Sequence, residues 1–596
     1  MMHRVARSRG VVGVVAGGAA AGLLGRCVLG EEEFTARRHA LQASTSRVMA
    51  ATAVRIQTGL VEPNTTHSKA SVIDSDKVLG PDAIQNWSNT HVCKAERLFK
   101  PSSQKEVEQI VRAVSEAGQK LRVFGSGLSP NGIGFSDTNL ISLEQMNRVI
   151  KVDSAKKQIT VEAGALVGQV LDELKEYDLT LQNLASINQQ QIGGFTQVGA
   201  HGTGATLPPV DEQVVELKVV TPGLGTITLS KEKHPEWFKF VKVGLGCFGI
   251  VTQVTLQCVD AHLLEEDTVV MTRAQVKQGH AKRLQSNRHV RYMWIPYTDA
   301  CVVVTSNPAT MGASHVEPDQ SGEAHAERVA PMVDLLQKTS RLSERQIKQA
   351  NAMGFGDLRD WLLRSGDGCL DTEHVRQVNQ AESEFWKLNE FEGLVDDSFA
   401  VLGFDCGGQQ QVLEVALGAG TQSEPNGDDL LFVEKLLNAI ETEGLPAPAP
   451  IEQRWSCSSS AAMSVAPSIA DMAPHDVLCS WVGIIMYLPS EDPGSRGLVF
   501  NKFVEYKKLL QRVAQDSGID VRTHWAKIEV PGTTEEIKDL QQQLASQYPL
   551  KDFEALRRKF DPKGMLLNRM MEVILGGEPV PPTPAASHGN PTTYNI

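Results

Sequence analysis

Two glycine-rich segments constrain the fold of this chain most. The first, RVFGSGLSPNGIGF, runs from Arg122 to Phe135, and the second, ASINQQQIGGFTQVGAHGTGA, runs from Ala185 to Ala205. Because Gly has no Cβ, backbone N–H groups in such loops can approach an anion closely. Neither segment contains the GxxxxGK[ST] phosphate loop. Two such loops separated by a strand-turn-helix pattern predict a cradle for a phosphate-bearing cofactor, whereas either loop alone would favour an ordinary glycine-rich turn.

Longer motifs extend this pattern over most of the chain, from about Trp87 to Met571. They are GSGLSPNGIG (125–134), LTLQNLASI (179–187), QVGAHGTGA (197–205), LGFDCGGQQ (402–410), PAPAPIEQRW (446–455), SWVGIIMYLP (480–489) and HWAKIEVP (524–531). In this order they resemble the galactonolactone dehydrogenases, within the aldonolactone oxidoreductase branch of the vanillyl-alcohol-oxidase flavoprotein superfamily. The resemblance implies an α+β fold, in which a two-part PCMH-type FAD-binding domain precedes an α+β cap or substrate domain with an antiparallel sheet.

A third glycine motif, GLGCFG at Gly244 to Gly249, matches the GxGxxG dinucleotide pattern. Its context disfavours a Rossmann fold, because a helix precedes it and the alternating strand IVTQVTLQC follows it, the reverse of the order that the motif needs. In the flavoprotein family this loop lies near the adenine end of FAD. The resemblance places a backbone contact to FAD at Ile250.

Composition excludes several functional classes. The 596 residues carry a formal net charge of −13, whereas a nucleic-acid binder normally has a basic excess. An acidic surface instead suits a basic protein partner. The nine cysteines form no CxxC pair, which argues against structural zinc and a disulfide framework, and no metal site is expected. Cys406 lies beside small residues and is either a reachable thiol or, as most cysteines are, a buried inert one.

The sequence predicts four regions. Residues 1–80 are Arg-rich, Ser-rich and poor in acids at the start, which is typical of a mitochondrial targeting region, and the apolar run 11–25 is either part of it or a membrane anchor. Residues 81–260 form the FAD-binding domain, 261–574 the cap domain, and 575–596 a disordered tail. Within the cap, 308–368 is expected to be surface helices or a partly disordered insertion, and strands are expected at FAVLGFD, PIEQRWS, SWVGIIMYL and HWAKIEV.

The motif PIEQRW carries the main catalytic prediction. Alternate residues of a strand share a face, so Glu452 and Arg454 should project together while Gln453 points away. From the pattern alone, an ion pair on a solvated strand is the simpler interpretation. The resemblance implies instead that this Glu-x-Arg pair contacts the substrate hydroxyl.

Further site residues follow from the resemblance. Lys527 matches a lysine that reaches substrate and flavin, and Ser186 matches a substrate contact. If HWAKIEV is extended, His524 and Lys527 face opposite ways, so His524 is expected to be a structural histidine. Ala185 matches the position at which glycine accompanies oxidases and alanine accompanies the dehydrogenase.

The resemblance also implies the cofactor contacts. The residues expected to bind FAD are Val123, Phe124, Gly125, Ser126, Gly127, Leu128, Ser129, Ser186, Gly194, Val198, Gly199, His201, Gly202, Thr203, Gly204 and Ile250. Many relatives attach FAD covalently through a histidine at the fourth position of GSGxS. Leu128 stands there in this chain and has no nucleophilic atom, so FAD is expected to be held noncovalently. For His201, a local turn-stabilising role is the alternative.

The function implied is FAD-dependent oxidation of L-galactono-1,4-lactone at C2 to L-ascorbate, with cytochrome c as acceptor, at the mitochondrial inner membrane facing the intermembrane space. Two alternatives stay open at this point. One is an oxygen-using L-gulono-1,4-lactone or aldonolactone oxidase that releases hydrogen peroxide. The other is a scaffold for respiratory-complex assembly, with or without catalysis.

Overall fold

The computed structural model describes residues 83–579, apart from 320, 366–367, 404–407, 449, 470 and 489, together with strand residues 78–79, 583–584 and 594–595. The expected targeting region, the possible anchor at 11–25 and Cys406 lie outside these residues. Most of the expected disordered tail lies outside them too. Where it is described, Thr583–Pro584 pairs with Tyr594–Asn595.

The described chain forms strands and helices in mixed order. The strands are β1 (Val78–Leu79), β2 (Ala83–Gln85), β3 (Val92–Lys94), β4 (Arg97–Phe99), β5 (Arg122–Phe124), β6 (Asn139–Ser142), β7 (Val149–Asp153), β8 (Gln158–Glu162), β9 (Leu179–Leu181), β10 (Val214–Thr221), β11 (Gly225–Ser230), β12 (Ile250–Asp260), β13 (Leu263–Thr272), β14 (His289–Trp294), β15 (Ala300–Pro308), β16 (Phe391–Asp397), β17 (Gln410–Thr421), β18 (Ile451–Cys457), β19 (Val477–Tyr487), β20 (Arg522–Thr523), β21 (Thr583–Pro584) and β22 (Tyr594–Asn595). The α-helices are Gln104–Glu116, Val167–Lys175, Ile192–Gln197, Pro235–Val241, Arg273–Ser286, Gly322–Thr339, Glu344–Ala350, Phe355–Arg364, Thr372–Leu388, Ser398–Leu402, Asp428–Glu443, Pro493–Ser517, Thr534–Gln547, Leu550–Phe560 and Arg569–Ile574.

Three sheets of four or more strands organise most of the described strands, while β2 with β3 and β21 with β22 form separate pairs. A four-stranded sheet has the order β1-β4-β6-β5, with β6 parallel to β4 and β5. A second, antiparallel sheet has the order β11-β10-β12-β8-β7, with β9 paired to β12. The third is an antiparallel sheet of eight strands in the order β16-β13-β15-β14-β18-β19-β17-β20. The predicted α+β class with an antiparallel cap sheet is confirmed, and the chain crosses from the second sheet to the third between β12 and β13.

The first helix shows how sequence fixes local structure. Ser103 is its N-cap, and its side chain accepts a hydrogen bond from the backbone N–H of Glu106. Its buried stripe is Val107, Ile110, Val111 and Val114, as the apolar spacing predicts. This stripe joins the hydrophobic core under the first two sheets, while a second core packs against the large sheet.

The GLGCFG segment has the context that excluded a dinucleotide fold. Helix Pro235–Val241 precedes it and strand β12 follows it. Strands β14 and β15 pair in antiparallel register as a hairpin whose turn contains Pro296.

One expectation for the cap was wrong and another was only partly correct. The segment FAVLGFD begins as helix Ser398–Leu402 rather than as a strand. The helices expected within 308–368 are present, but they are not confined to the surface, because apolar residues such as Val329, Met332, Phe355 and Leu358 enter the second core. Many charged residues on the outer faces of these helices obscured the apolar periodicity.

Candidate active site

A cavity of about 330 Å³ lies between the glycine-rich loops and one face of the eight-stranded sheet. Residues that alternate along three neighbouring strands form the sheet side of this cavity. They are Gln410, Val412 and Glu414 on β17, Glu452 and Arg454 on β18, and Gly483, Ile485 and Tyr487 on β19. Because alternate residues share a face, one face of the sheet forms the wall, and the opposite face packs into the core.

Two side chains of the first glycine-rich segment, those of Arg122 and Ser126, bind distant parts of the chain. Buried Arg122 donates hydrogen bonds to the carbonyl oxygens of Ile133, Leu245, Gly246 and Leu566. Ser126 Oγ donates to the Gln189 carbonyl oxygen at 2.7 Å and so joins the two glycine-rich segments. These hydrogen bonds fix the conformation of the loop.

The same loop presents backbone donors to the cavity. The N–H groups of residues 126–129 donate no hydrogen bond to another described residue. Gln190 Oε1 and Trp87 Nε1 also line the cavity and are buried without a partner in the described chain. Since buried polar groups are nearly always hydrogen-bonded, this arrangement fits a large polar ligand.

Strand β18 places its residues as the sequence predicts. Glu452 and Arg454 project into the cavity, with Glu452 Oε2 3.4 Å from Arg454 Nε. On the opposite face Gln453 accepts a hydrogen bond from Trp294 Nε1 and donates to Ser480 Oγ. A slip of one residue would exchange the two faces, so these buried hydrogen bonds fix the register that brings the ion pair into the cavity.

A deeply buried carboxylate at the site, Glu414, was not predicted. Its Oε1 lies 2.7 Å from Arg454 Nη2, and its Oε2 lies 2.6 Å from Lys527 Nζ and 3.2 Å from His201 Nε2. The signal was present as the single acid in the apolar run QVLEVALG, because a carboxylate on the buried face of a strand requires partners.

Electrostatics fix the charge of this cluster. Burial by itself would raise the pKa of Glu414, but Lys527, His201 and Arg454 together hold the pKa well below its usual range. Burial lowers the pKa of His201 and of His524, and the neighbouring cations act in the same direction. The cluster therefore presents two cations held by one carboxylate, with the two imidazoles in the neutral form.

The extended conformation assumed for His524 to Lys527 was wrong, although His524 is the hydrogen-bonded histidine expected, since its Nδ1 accepts from the Ala526 N–H. The segment is not extended, because Trp525–Lys527 form a 3₁₀ turn in which the Lys527 N–H donates to the His524 carbonyl oxygen at 2.8 Å. Both side chains therefore line the cavity. Asn131 fixes this turn against the first glycine-rich loop by donating from Nδ2 to the carbonyl oxygens of Trp525 and Ile528, each at 2.8 Å.

His201, Glu414 and His524 are close enough to share a metal ion. However, both oxygens of Glu414 already contact cationic side chains. The adjacent positive charges of Arg454 and Lys527 would repel a metal cation, so the cluster is better suited to a polar or anionic ligand.

The structure places most, but not all, of the predicted FAD-binding residues at the cavity. Those that line it are Val123, Phe124, Gly125, Ser126, Gly127, Leu128, Ser129, Ser186, Gly194, Val198 and His201. Ala185 lines it as well. His201 also has the local contacts expected of a turn-stabilising residue, because its Nδ1 bonds the adjacent Gly202 carbonyl oxygen and its ring stacks on Trp481.

The remaining predicted residues do not line this cavity: Gly199, Gly202, Thr203, Gly204 and Ile250. A Cβ on Gly202 would overlap the Asn183 side chain and the Leu184 carbonyl oxygen, so chain packing demands this glycine. The Gly204 N–H donates to the Trp455 carbonyl oxygen at 2.6 Å. The end of the second loop thus supports strand β18 beside Arg454.

The third helix of the region 308–368 and the helix that follows it contribute cavity residues that sequence reasoning missed. They are Phe355, Arg359, Glu382 and Trp386. Apolar residues at helical spacing within a charged segment were the available signal.

Comparison with known proteins agrees with this site. Residues 95–230 match the sequence model of an FAD binding domain, and residues 254–574 match that of D-arabinono-1,4-lactone oxidase. The chain is 44% identical over 503 residues to the mitochondrial L-galactono-1,4-lactone dehydrogenase of Arabidopsis thaliana, covering 82% of this chain and 81% of that protein. This chain belongs to the galactonolactone dehydrogenase family.

Two more distant proteins are also similar to this galactonolactone dehydrogenase family member. L-gulonolactone oxidase of Bos taurus is 26% identical over 504 residues, covering 82% of this chain and 98% of that protein. Among solved structures, cholesterol oxidase from B. sterolicum has a TM-score of 0.64 at 16% identity, covering 86% of this chain and 100% of that one, which supports the fold. The family member is therefore an FAD-dependent oxidoreductase, and the unpaired donors of residues 126–129 suit the phosphates of that cofactor.

One further observation concerns membranes. Among the described residues of this family member, no helix combines the length and apolar character that crossing a bilayer requires.

Proposed function

We propose that this chain oxidises L-galactono-1,4-lactone at C2 to L-ascorbate, using noncovalently bound FAD and passing the electrons to cytochrome c. The observation that carries the proposal is the Glu452–Arg454 pair, which opens into the same cavity as the first glycine-rich loop. Relatives with the dehydrogenase name at 43–44% identity support the substrate.

The residues at the cavity wall have distinct roles in this proposal. FAD supplies the hydride acceptor for the hydrogen at C2. Glu452 accepts the proton of the C2 hydroxyl, so hydride and proton leave together and a keto group forms, which then tautomerises to the ene-diol. Arg454 and Lys527 stabilise the negative charge that develops on the hydroxyl oxygen. Glu414 holds the two cations in place, so they need not reorganise during the reaction.

Noncovalent attachment is proposed from the residue at the attachment position. Leu128 lines the cavity where relatives of the superfamily carry a histidine. A leucine side chain cannot form a bond to the isoalloxazine ring. Acid precipitation of the purified holoprotein should therefore release all of the yellow pigment into the supernatant, and pigment retained in the pellet would contradict this part of the proposal.

The acceptor is proposed from one residue and from net charge. Ala185 lines the cavity, and its methyl group is proposed to restrict the access of oxygen to the flavin. The formal net charge of −13 suits encounter with a basic electron carrier. The family relatives are named mitochondrial and residues 1–80 have the composition of a targeting region, which supports a mitochondrial location. The inner membrane, facing the intermembrane space, is proposed from the family resemblance.

An anaerobic titration tests the proposal. Adding L-galactono-1,4-lactone to the purified holoprotein should bleach the flavin absorbance, and oxidised cytochrome c should restore it much faster than air does. Recovery in air with stoichiometric hydrogen peroxide would identify an oxidase instead. No bleaching by this lactone would refute the proposed substrate.

Variants connect the reaction to the site. Glu452→Gln should lower kcat by about 10²- to 10⁴-fold, since it removes the proton acceptor. The matched control is Glu424→Gln in an exposed turn, which should keep full activity. If Glu452→Gln combined with Arg454→Ala still supports respiratory-complex assembly in cells, the chain has a second, structural role.

A further inference from the structure

A second polar pair lines the cavity, away from the Glu452–Arg454 pair. Arg359 lies on helix Phe355–Arg364, Glu382 lies on helix Thr372–Leu388, and both are almost completely buried, with 4% and 1% of their side chains exposed. Arg359 Nη1 lies 4.0 Å from Glu382 Oε1, at the limit of an ion pair. We call these two residues the distal pair.

The distal pair has hydrogen-bonding capacity that the described chain does not use. Arg359 Nε and Glu382 Oε2 are buried without a hydrogen-bond partner among the described residues. Leaving such groups unpaired in a protein interior is unfavourable, and more so when they are charged. Both residues border the cavity, so a polar ligand there could supply the missing partners.

Aromatic rings fix the orientation of the guanidinium. Arg359 Cζ lies 3.9 Å from the ring centroid of Tyr487 and 5.0 Å from that of Phe355. Trp386 continues the same wall, stacked edge to face on Phe385. A donor fork, an acceptor carboxylate and flat apolar rings together suit a polyhydroxylated carbon chain, because hydroxyl groups both accept and donate while their C–H groups pack on rings.

The register of the large sheet relates the two pairs. Gly483 is the Cα partner of both Glu452 and Glu414, and Tyr487 pairs with Gln410 four residues further along. At about 3.3 Å per residue the two rows are about 13 Å apart. Gly483 has no side chain, so the space beside Glu452 stays open toward Ile485 and Tyr487.

We propose that the distal pair binds the hydroxyl groups on the exocyclic carbons of the aldonolactone, C5 and C6, while the C2 hydroxyl lies between Glu452 and Arg454. This inference rests on the proposed function and adds to it the residues that select lactone length. Arg359 donates to the exocyclic hydroxyl oxygens, and Glu382 accepts from their O–H groups. Burial raises the pKa of Glu382 although Arg359 opposes the shift, and a hydroxyl donor would stabilise the charged carboxylate.

The wild-type holoprotein provides the first test. Its kcat/KM for the six-carbon L-galactono-1,4-lactone is compared with that for a four-carbon aldono-1,4-lactone of the same C2 and C3 configuration, which has no exocyclic carbons. We expect at least a tenfold preference for the longer lactone. Equal efficiency would refute the distal site alone, whereas oxidation of neither lactone would refute the proposed function and with it this site.

Two conservative variants provide the second test. Arg359→Lys and Glu382→Gln should raise KM for the six-carbon lactone by 10- to 100-fold and leave its kcat within about threefold. For the four-carbon lactone, KM and kcat should each change by less than threefold. Arg364→Lys, at an exposed position on the same helix as Arg359, is the matched control and should leave KM and kcat for both lactones unchanged. The FAD content and the flavin spectrum of each variant are measured in parallel.

The outcomes separate substrate binding from a purely structural role. Equal losses for both lactones, or loss of FAD from the variants, would show that the distal pair supports the fold or the cofactor and would overturn the proposal. If one variant does not fold, the other and the wild-type comparison decide.

Discussion

Lys527 Nζ lies 2.6 Å from Glu414 Oε2, a contact between residues that are 113 positions apart in the chain. The contact joins the 3₁₀ turn at Trp525–Lys527 to strand β17. In the sheet, β19 lies between β17 and β18, the strand that carries Arg454. Glu414 is therefore the point at which the separate parts of the site meet.

Replacing this carboxylate should have a large effect. We expect Glu414→Gln to lower kcat/KM by about 10²-fold or more, because Arg454 and Lys527 lose their anchor, and to cost about 3 to 5 kcal/mol of stability by leaving buried cations unpaired. The pKa of Glu414 is lowered in the fold, so its stabilisation is present above about pH 4.5 and disappears as pH falls toward the folded-state pKa. Denaturant unfolding of both proteins at pH 7 and pH 4 checks this. A constant difference between them at the two pH values would contradict it.

Two glycines predicted for the same role should respond oppositely to alanine. A Cβ on Gly194 meets nothing within 4 Å and would enter the cavity, so Gly194→Ala should fold normally and bind FAD about tenfold or more weakly. Gly202→Ala should yield little folded protein, because its Cβ overlaps Asn183 and Leu184. Thermal unfolding and FAD titration of both variants measure the contrast. Normal FAD affinity in Gly194→Ala would show that the phosphates lie elsewhere.

Oxygen reactivity should depend on a single methyl group. Ala185→Gly opens the wall of the cavity, and we expect hydrogen peroxide production during lactone turnover to rise by about tenfold or more. Ala200→Gly, a second alanine that lines the cavity, is the control and should leave peroxide production unchanged. A peroxide electrode measures both, and an equal rise in the two variants would point to general loosening instead of a gate.

Stability should also vary with pH at a position outside catalysis. Burial raises the pKa of Glu266 to about 7, although Arg291 opposes the shift. Between about pH 4.5 and pH 7 the unfolded chain releases this proton while the folded chain keeps it, so Glu266 lowers stability as pH rises through that range. Glu266→Gln should therefore stabilise the protein by about 1 to 3 kcal/mol at pH 7.5 and have no effect at pH 4.

The neighbouring exposed residue provides the control for this prediction. Glu265→Gln should leave the free energy of unfolding unchanged at both pH values, since Glu265 faces solvent on the same strand. Equal stabilisation by the two substitutions would attribute the effect to net charge.

Local sequence patterns were sufficient to predict the structure where residues close in sequence are also close in space. The period of two in PIEQRW placed Glu452 and Arg454 on one face and Gln453 on the other, because the strand is extended and its register is fixed. Apolar spacing and a Ser cap predicted the helix Gln104–Glu116 for the same reason. The glycine-rich loops and the motif order predicted the cofactor domain and the family.

Only the tertiary structure decided how these pieces meet. Glu414 acquires its role from cations on other segments, and the turn at Trp525–Lys527 is held by Asn131, almost 400 positions away, so neither could be read from local periodicity. The same holds for Arg359 and Glu382, which reach the cavity because their helices pack into the second core. Sequence thus determined the chemical groups and the local shapes, whereas long-range packing and the pairing of buried charges determined the active site, because burial and partnership depend on contacts between distant segments.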